Sequence, residues 1–419
     1  LVVVQVVCMF PTQLRPCALP TDVLAVSRPD IRLSHISTSN AQRHTWCGRC
    51  CFAALAISRP LQSRMRAIPA FELLTKCGTE TRPFAAAEVS FAGRKPADAF
   101  VQVASSTGAP GLGWSCSGCV SVSGLKRRRG NMNQDCVAVR CDQRGRWFLV
   151  VADGHGRCGH TVAACLCAAL PELLEKAADS DNMSESIKAA YRIAEEQLEA
   201  AAKEQGFDVV MSGAAVATAS LTEKGTYLAS CGDSQALIVD ASTGTIMASR
   251  QHKAHDTKEQ QRIVSHGGSI KVERPRCRNT VMSRVYGVRS YGLAMSRSFG
   301  DLCVKPVGVI AEPSVSIAAH QKGLVILGSD GLFEFLAPIE VLSILRSAQT
   351  SSLAAALVQE AQTRWERNEA GLYCDDVSCL LVGPKGVIPE IVESLQAKQP
   401  SLLVNPFGAE SYDGPFGAY

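Results

Sequence analysis

The sequence predicts a soluble globular fold that combines helices with strands, and three observations carry this prediction. Apolar runs at residues 148–151 and 324–327 are typical of buried strands, and each strand is expected to break at the Asp-Gly pair that follows it. Ile187, Tyr191, Ala194 and Leu198 recur at helical spacing. Two strand-like runs, 213–221 and 226–230, flank a turn and predict a hairpin.

Length and composition leave the number of domains open. A chain of 419 residues could form two or three domains, or one large domain with tails. We expect residues 1–112 to be an N-terminal extension, disordered or loosely folded, because they lack sustained periodicity. The ordered domain is expected at 113–385, followed by a C-terminal tail at 386–419.

Charge and cysteine usage narrow the functional class. Residues 1–110 hold 12 Lys/Arg against 6 Asp/Glu, so the net charge of +4 leaves about −2 for the rest of the chain. A slightly acidic domain does not favour a nucleic-acid partner. The 18 cysteines are scattered, which is typical of reduced thiols, so we expect a cytoplasmic or nuclear protein. No apolar run reaches the ~18 residues of a membrane span.

The remaining elements are predicted from apolar residues at helical spacing, from strand-like apolar runs and from capping residues. Residues 269–292 are basic and contain Gly and Pro, so an irregular surface loop is expected there. The other expected elements are strands over 136–140, 235–239 and 373–382, and helices over 161–176, 184–204 (capped by Ser184), 256–265, 339–348 and 352–366.

Acidic residues recur beside the predicted strands. One alone is more often a turn residue, but several buried carboxylates would be very costly unless cations neutralised them. Oxygen ligands without a Cys/His cluster favour Mg²⁺ or Mn²⁺, and His155 beside them could donate a proton. The five residues are Asp135, Asp153, Asp233, Asp330 and Asp375.

The order of these motifs resembles the metal-dependent Ser/Thr protein phosphatases of type 2C, especially the plant and protist branches. The resemblance covers about residues 115–385 and implies an α+β fold: a four-layer α/β/β/α sandwich of two mainly antiparallel sheets flanked by helix pairs. The matching segments are Asn133-Gln134-Asp135, 151–156 (VADGHG), Ser212-Gly213, 231–234 (CGDS), His252-Lys253, 259–263 (EQQRI) with Gly267-Gly268, 293–301 (LAMSRSFGD), 328–332 (GSDGL) and 375–378 (DDVS).

The resemblance also implies a role for each residue of the site. Asp153 would bridge two Mg²⁺ or Mn²⁺ ions with help from the Gly154 carbonyl, and Asp330 and Asp375 would complete one ion. Asp135 would act through waters. A weaker third ion would bind near Asp233.

The expected reaction is hydrolysis of phosphoserine and phosphothreonine in phosphoprotein substrates. A metal pair readies a water for in-line attack on phosphorus, and His155 protonates the leaving alkoxide. Arg128 or Arg129 would bind the phosphate, although Gly130 stands at the usual arginine position. We expect a monomer.

Departures from the family pattern support an alternative, a catalytically weak pseudophosphatase that binds phosphoproteins. The alternative is motivated by Gln134, which stands where Glu is common, and by the displaced phosphate-binding arginine; Asp376 also stands where Asn is frequent. A metal-dependent nuclease would also use paired carboxylates, but the chain lacks a basic groove signature.

Overall fold

Two stacked β-sheets with helices on their outer faces form the described part of the computed structural model. Side chains are described over 114–126, 132–240, 243–272, 282–287, 291–318, 323–348 and 352–384, along with the backbone of four further strands. These residues belong to one compact unit, made of Leu1–Cys8 and Pro69–Tyr419. A second unit, Met9–Ile68, lies outside them.

The first sheet is antiparallel throughout. Its order is β1 (Val2–Gln5), β5 (Asp135–Cys141), β6 (Trp147–Gly156), β7 (Ser212–Thr222), β8 (Gly225–Cys231) and β15 (Ser314–Ala318), with β14 (Phe299–Gly300) beside β7.

The second sheet is antiparallel except where its first two strands run parallel. Its order is β18 (Ser401–Val404), β10 (Thr245–Ala248), β9 (Gln235–Asp240), β16 (Gly323–Gly328), β17 (Val377–Pro384), β4 (Trp114–Val122), β3 (Ala99–Ser105) and β2 (Glu80–Pro83). A small sheet contains β11 (Ser269–Glu273), β12 (Met282–Tyr286) and β13 (Gly292–Leu293).

Helices cover the outer faces of both large sheets. Those of the described chain are α1 (Gly159–Ala177), α2 (Met183–Gln205), α3 (Thr257–Ser265), the short α4 (Asp330–Phe333), α5 (Pro338–Ser347) and α6 (Leu353–Asn368). None of these helices combines the length and the apolar character that a bilayer crossing requires.

Alternate side chains of β6 show why its sequence is a continuous apolar run. Phe148 and Val150 pack against α1 and α2, whereas Leu149 and Val151 face the core between the two sheets. Because successive side chains of a strand point to opposite faces, a strand covered on both sides needs apolar residues throughout. A third cluster joins the second sheet to α5 and α6. These layers confirm the predicted four-layer sandwich.

Local capping differs from the prediction at α2. The helix begins after Asn182, whose side chain accepts a hydrogen bond from the Glu185 N–H, so Ser184 is not the cap. It is followed by Gly206, whose φ of 74° lies in the left-handed region, a conformation that glycine adopts without the strain that a Cβ would cause.

Three boundaries correct the sequence-based expectations. β6 does not break at Asp153 but continues to Gly156, because the backbone of 153–156 pairs with residues 212–215 of β7. Residues 269–292 are not wholly irregular, since β11 and β12 pair with each other. The predicted strand over 373–382 starts only at Val377.

Truncation of Leu149 tests the core between the sheets. Its side chain is 0% exposed, so Leu149→Ala should lower the free energy of unfolding by about 2–5 kcal/mol through lost burial and a cavity. Urea unfolding measures the change. Ile317→Ala, at a position that is 47% exposed, is the control and should cost less than about 0.5 kcal/mol. Equal losses would contradict the assigned core.

Candidate metal centre and active site

Central strands of both sheets bring the predicted acidic residues to one end of the sandwich. Asp135 begins β5 and lies opposite Asp153 of β6 in the strand register. Asp330 begins α4 directly after β16, and its N–H donates to Asp153 Oδ2 at 3.3 Å. Asp375 lies two residues before β17, the strand paired with β16. The fold thus gathers residues that are far apart in the sequence.

Electrostatic repulsion shows how closely these carboxylates lie. Burial raises the pKa of Asp153 well above its usual range, and Asp330, Asp135, Asp375 and Asp233 raise it further. Burial followed by repulsion from Asp375 and Asp233 has the same effect on the pKa of Asp330. The site therefore holds more negative charge than its own surroundings stabilise.

Asp135 shows the same shortage of positive charge. Burial, followed by repulsion from Asp376, raises its pKa to about 7. Ser329 and Ser378 lie near enough to offset part of this rise, yet within the described residues neither carboxylate oxygen of Asp135 has a partner of hydrogen-bond geometry. Buried, unpartnered carboxylate oxygens are costly in a protein and are the ligands that hard divalent cations prefer.

Position 154 accommodates only a glycine. A Cβ at this position would come within 2.2 Å of the Gly159 carbonyl oxygen, so no other residue fits without a backbone shift. The Gly154 N–H donates to the Gln134 carbonyl at 3.2 Å, which links β6 to the residue before β5. The oxygen donors of the neighbouring acidic residues are of the type that Mg²⁺ and Mn²⁺ prefer.

Two lysines neutralise part of the site. Lys126 Nζ lies 2.7 Å from Asp375 Oδ1 and 2.7 Å from Asp376 Oδ2. The Tyr373 hydroxyl donates to Asp375 Oδ2 at 2.7 Å, so both oxygens of Asp375 have protein partners. Among the described residues, no group of three or more His, Cys, Asp and Glu side chains is arranged so that it could hold a metal ion.

Asp376 binds Lys126 and is itself fixed by backbone hydrogen bonds. Its Oδ1 accepts from the Gly124 N–H at 2.7 Å, and its Oδ2 accepts from the Gln134 N–H at 2.9 Å as well as from Lys126. Burial alone would lower the pKa of Lys126, but Asp375 and Asp376 raise it well above its usual range. An asparagine at 376 would supply neither this charge nor a second acceptor oxygen.

The second lysine lies at the predicted third ion site. Lys253 Nζ is 3.0 Å from Asp233 Oδ2 and 3.4 Å from Glu334 Oε2. The other oxygen of Asp233, Oδ1, is buried and has no hydrogen-bond partner within the described chain. Asp233 thus offers one oxygen to a cation and shares the other with Lys253.

His155 lies on β6 between two glycines, with its ring partly exposed. Its Nε2 is 2.7 Å from Asp301 Oδ2, and Asp301 itself is fully buried. Burial alone would lower the pKa of His155, but the neighbouring Asp301 carboxylate raises it. Asp301 therefore stabilises the charged form of the imidazole, the form from which a proton donor acts.

Gln134 has a structural partner that explains its departure from the usual glutamate. Its Nε2 donates to the Gly156 carbonyl at 2.9 Å, which ties the residue before β5 to the last residue of β6. A carboxylate at this position would have no proton to donate.

Some functional residues were missed by sequence reasoning, and others lie outside the described residues. Lys126 begins the basic segment 126–129, of which only Arg128 and Arg129 were given a predicted role. Its pairing with Asp375 is a long-range contact that sequence spacing does not reveal. Asp301 ends the 293–301 motif without a predicted role. Arg128 and Arg129 lie outside the described residues, so their phosphate-binding role stays a prediction.

Comparisons with known proteins identify the family of this chain. The sequence model of the protein phosphatase 2C family matches residues 121–369, so the chain belongs to that family, whose members are characteristically metal-dependent. It is 28% identical over 303 residues to "Probable protein phosphatase 2C 34" of Arabidopsis thaliana, covering 63% of this chain and 82% of that protein.

A rice relative and a solved structure extend the likeness. "Probable protein phosphatase 2C 48" of Oryza sativa subsp. japonica is 32% identical over 295 residues, covering 60% of this chain and 81% of that protein. The crystal structure of serine-threonine phosphatase 2C from Toxoplasma gondii has a TM-score of 0.53 at 18% identity, covering 73% of this chain and 99% of that one. This last likeness supports the fold. Together, the comparisons indicate that the chain is a type 2C phosphatase of the plant and protist type.

Lys126→Met tests whether the ammonium group competes with a metal for Asp375. The variant should bind Mn²⁺ about tenfold more tightly, equivalent to about 1.4 kcal/mol, because one repelling charge is gone and Asp375 is released. Isothermal calorimetry on the full chain measures the affinity. Without metal, the melting temperature should fall, since Asp375 and Asp376 lose their cation.

The control for this variant is Lys176→Met on α1, where the lysine side chain is 68% exposed. It should change neither the Mn²⁺ affinity nor the melting temperature. Weaker Mn²⁺ binding by Lys126→Met would mean that Lys126 supports the metal site and does not compete with it.

Proposed function

We propose that this chain is an active protein serine/threonine phosphatase that depends on two Mg²⁺ or Mn²⁺ ions, with a weaker third ion near Asp233. The observation that carries the proposal is the buried carboxylate of Asp135, unpartnered among the described residues and set beside Asp153, where Asp330 and Asp375 raise the local negative charge. Membership of the phosphatase 2C family supports the reaction class.

The proposed roles of the chain's own residues are those that the family resemblance implies. Asp153 would hold both ions together with the Gly154 carbonyl, Asp330 and Asp375 would complete one of them, and Asp135 would act through waters. When bound, divalent cations of this kind lower the pKa of water and offset the charge on phosphoryl oxygens. His155 would donate a proton to the departing serine or threonine alkoxide, a group too basic to leave without one.

The proposed substrates follow from the reaction class, and the proposed location follows from the cysteines. Phosphorylated proteins would be the substrates, and the chain would act as a monomer. None of the eleven described cysteines is in a disulfide, which supports a cytoplasmic or nuclear location.

A pseudophosphatase that only binds phosphoproteins is the second candidate, and one observation favours it. Asp375 has Lys126 and Tyr373 on its two oxygens, so a metal must displace protein contacts to reach it. Calorimetry separates the candidates, because an active enzyme should bind Mn²⁺ and a pseudoenzyme should bind it weakly or not at all.

Metal dependence is the first test of the enzyme. The full chain should hydrolyse a phosphothreonine peptide with Mn²⁺ and lose this activity in excess EDTA. Asp153→Ala should abolish turnover, a loss of at least about 10³-fold, because the residue expected to hold both ions is gone. Asp181→Ala, an exposed change outside the site, is the control. Turnover that persists in EDTA would contradict the mechanism.

A comparison of two substrates with different leaving groups tests the proposed general-acid role of His155. His155→Ala should slow hydrolysis of the phosphothreonine peptide by about 10²-fold or more, since an alkoxide needs a proton. Hydrolysis of p-nitrophenyl phosphate should fall much less, because its phenolate leaves unprotonated. Steady-state rates with both substrates measure the ratio. If both rates fall by the same factor, His155 is not the general acid.

A further inference from the structure

Asp301 lies next to His155, yet neither the predicted metal site nor the proposed proton transfer uses it. It follows β14 and closes the 293–301 motif. Its side chain is 0% exposed, and its φ of 51° places a non-glycine residue in the left-handed region. Such a conformation costs free energy and persists where the surrounding structure enforces it, often at functional sites.

The carboxylate of Asp301 is held by both of its oxygens. Oδ2 lies 2.7 Å from His155 Nε2, and Oδ1 accepts from the Tyr291 hydroxyl at 2.9 Å. The backbone is fixed as well, since the Asp301 N–H donates to the Ser212 carbonyl at 3.0 Å. With these contacts the carboxylate has one orientation, and that orientation faces the imidazole.

The strand opposite His155 leaves space for this contact. Gly213 of β7 lies across from His155 in the register. A Cβ on Gly213 would come within 2.3 Å of Asp301 Oδ2. A side chain at 213 would therefore displace the carboxylate from the imidazole. The hydrogen bond between His155 and Asp301 thus depends on β6, on β7 and on the residue that follows β14.

We infer that Asp301 is the positioning residue for His155: it accepts the Nε2–H, which leaves Nδ1 to deliver the proton, while Tyr291 fixes the carboxylate. This inference rests on the proposed function, in which His155 is the general acid. A carboxylate on one ring nitrogen selects the tautomer and orientation of the ring and stabilises the imidazolium.

The proton transfer balances with Asp301 ionised throughout. As the water oxygen forms its bond to phosphorus, the bond from phosphorus to the serine or threonine oxygen breaks, and its electron pair stays on that oxygen. The oxygen takes the Nδ1 proton of the imidazolium. The neutral imidazole keeps its Nε2–H on Asp301, the two protons of the water leave on the inorganic phosphate, and a proton from solvent then restores the imidazolium.

Asp301→Asn tests the inference, because it keeps the shape of the side chain and removes its charge. The rate on a phosphothreonine peptide should fall by about 10–10²-fold, part of the full value of a general acid. The rate on p-nitrophenyl phosphate should fall less than about threefold, as its leaving group needs no proton. Tyr291→Phe should shift this ratio of rates in the same direction by a smaller factor.

A double variant separates positioning from general damage. If Asp301 acts through His155, then His155→Ala combined with Asp301→Asn should be no slower than His155→Ala alone. The matched control is Asp142→Asn, a buried aspartate paired with Arg146 in the hairpin at the far ends of β5 and β6. It should leave the ratio of the two rates unchanged even if it lowers the melting temperature.

Nitrogen NMR gives a readout that needs no turnover. In the ¹⁵N-histidine-labelled full chain, with His155→Ala used to assign the signal, the His155 ring should show a protonated Nε2, and Asp301→Asn should shift that resonance. Equal slowing of both substrates, a double variant with multiplied losses, or an unshifted resonance would overturn the role of Asp301. A wild type that hydrolyses neither substrate would instead overturn the proposed function, and the NMR result would still decide whether Asp301 orients the ring.

Discussion

Repulsion among buried carboxylates is the constraint on which this site depends. Several like charges in a poorly solvated place favour separation, and only a rigid surrounding structure can hold them together. Here the apolar layers between and outside the two sheets provide that rigidity. The strand ends cannot move apart without opening a close-packed core, so the sandwich holds the acidic residues in range of one another.

The protein offsets this charge in two ways. Lys126 and Lys253 supply positive charge from within the chain, whereas Asp135 Oδ1 and Oδ2 and Asp233 Oδ1 have no hydrogen-bond partner in the part of the chain that the structure describes. These oxygens leave part of the negative charge to be neutralised by a ligand. This division sets the balance between stability without metal and affinity for it. A site with more internal cations would fold easily and bind ions weakly, and a site with fewer would do the reverse.

The sequence predicts the layers well because local periodicity reflects burial. The run 148–151 and the spacing of Ile187, Tyr191, Ala194 and Leu198 are read from neighbouring residues alone. The continuation of β6 to Gly156 was not predictable in this way, because it depends on pairing with β7. Lys126 and Asp301 were missed for the same reason: their partners are more than a hundred residues away, and nothing in the local pattern points to them.

Tyr291 gives the small sheet a mechanical connection to the imidazole. It directly precedes β13, the edge strand of that sheet, and its hydroxyl reaches the carboxylate that contacts His155. A shift of β13 would therefore change the orientation of the His155 ring through Asp301. Under the proposed function, in which His155 donates a proton to the leaving alkoxide, the small sheet would then influence the rate of turnover although it contributes no residue to the proposed metal site.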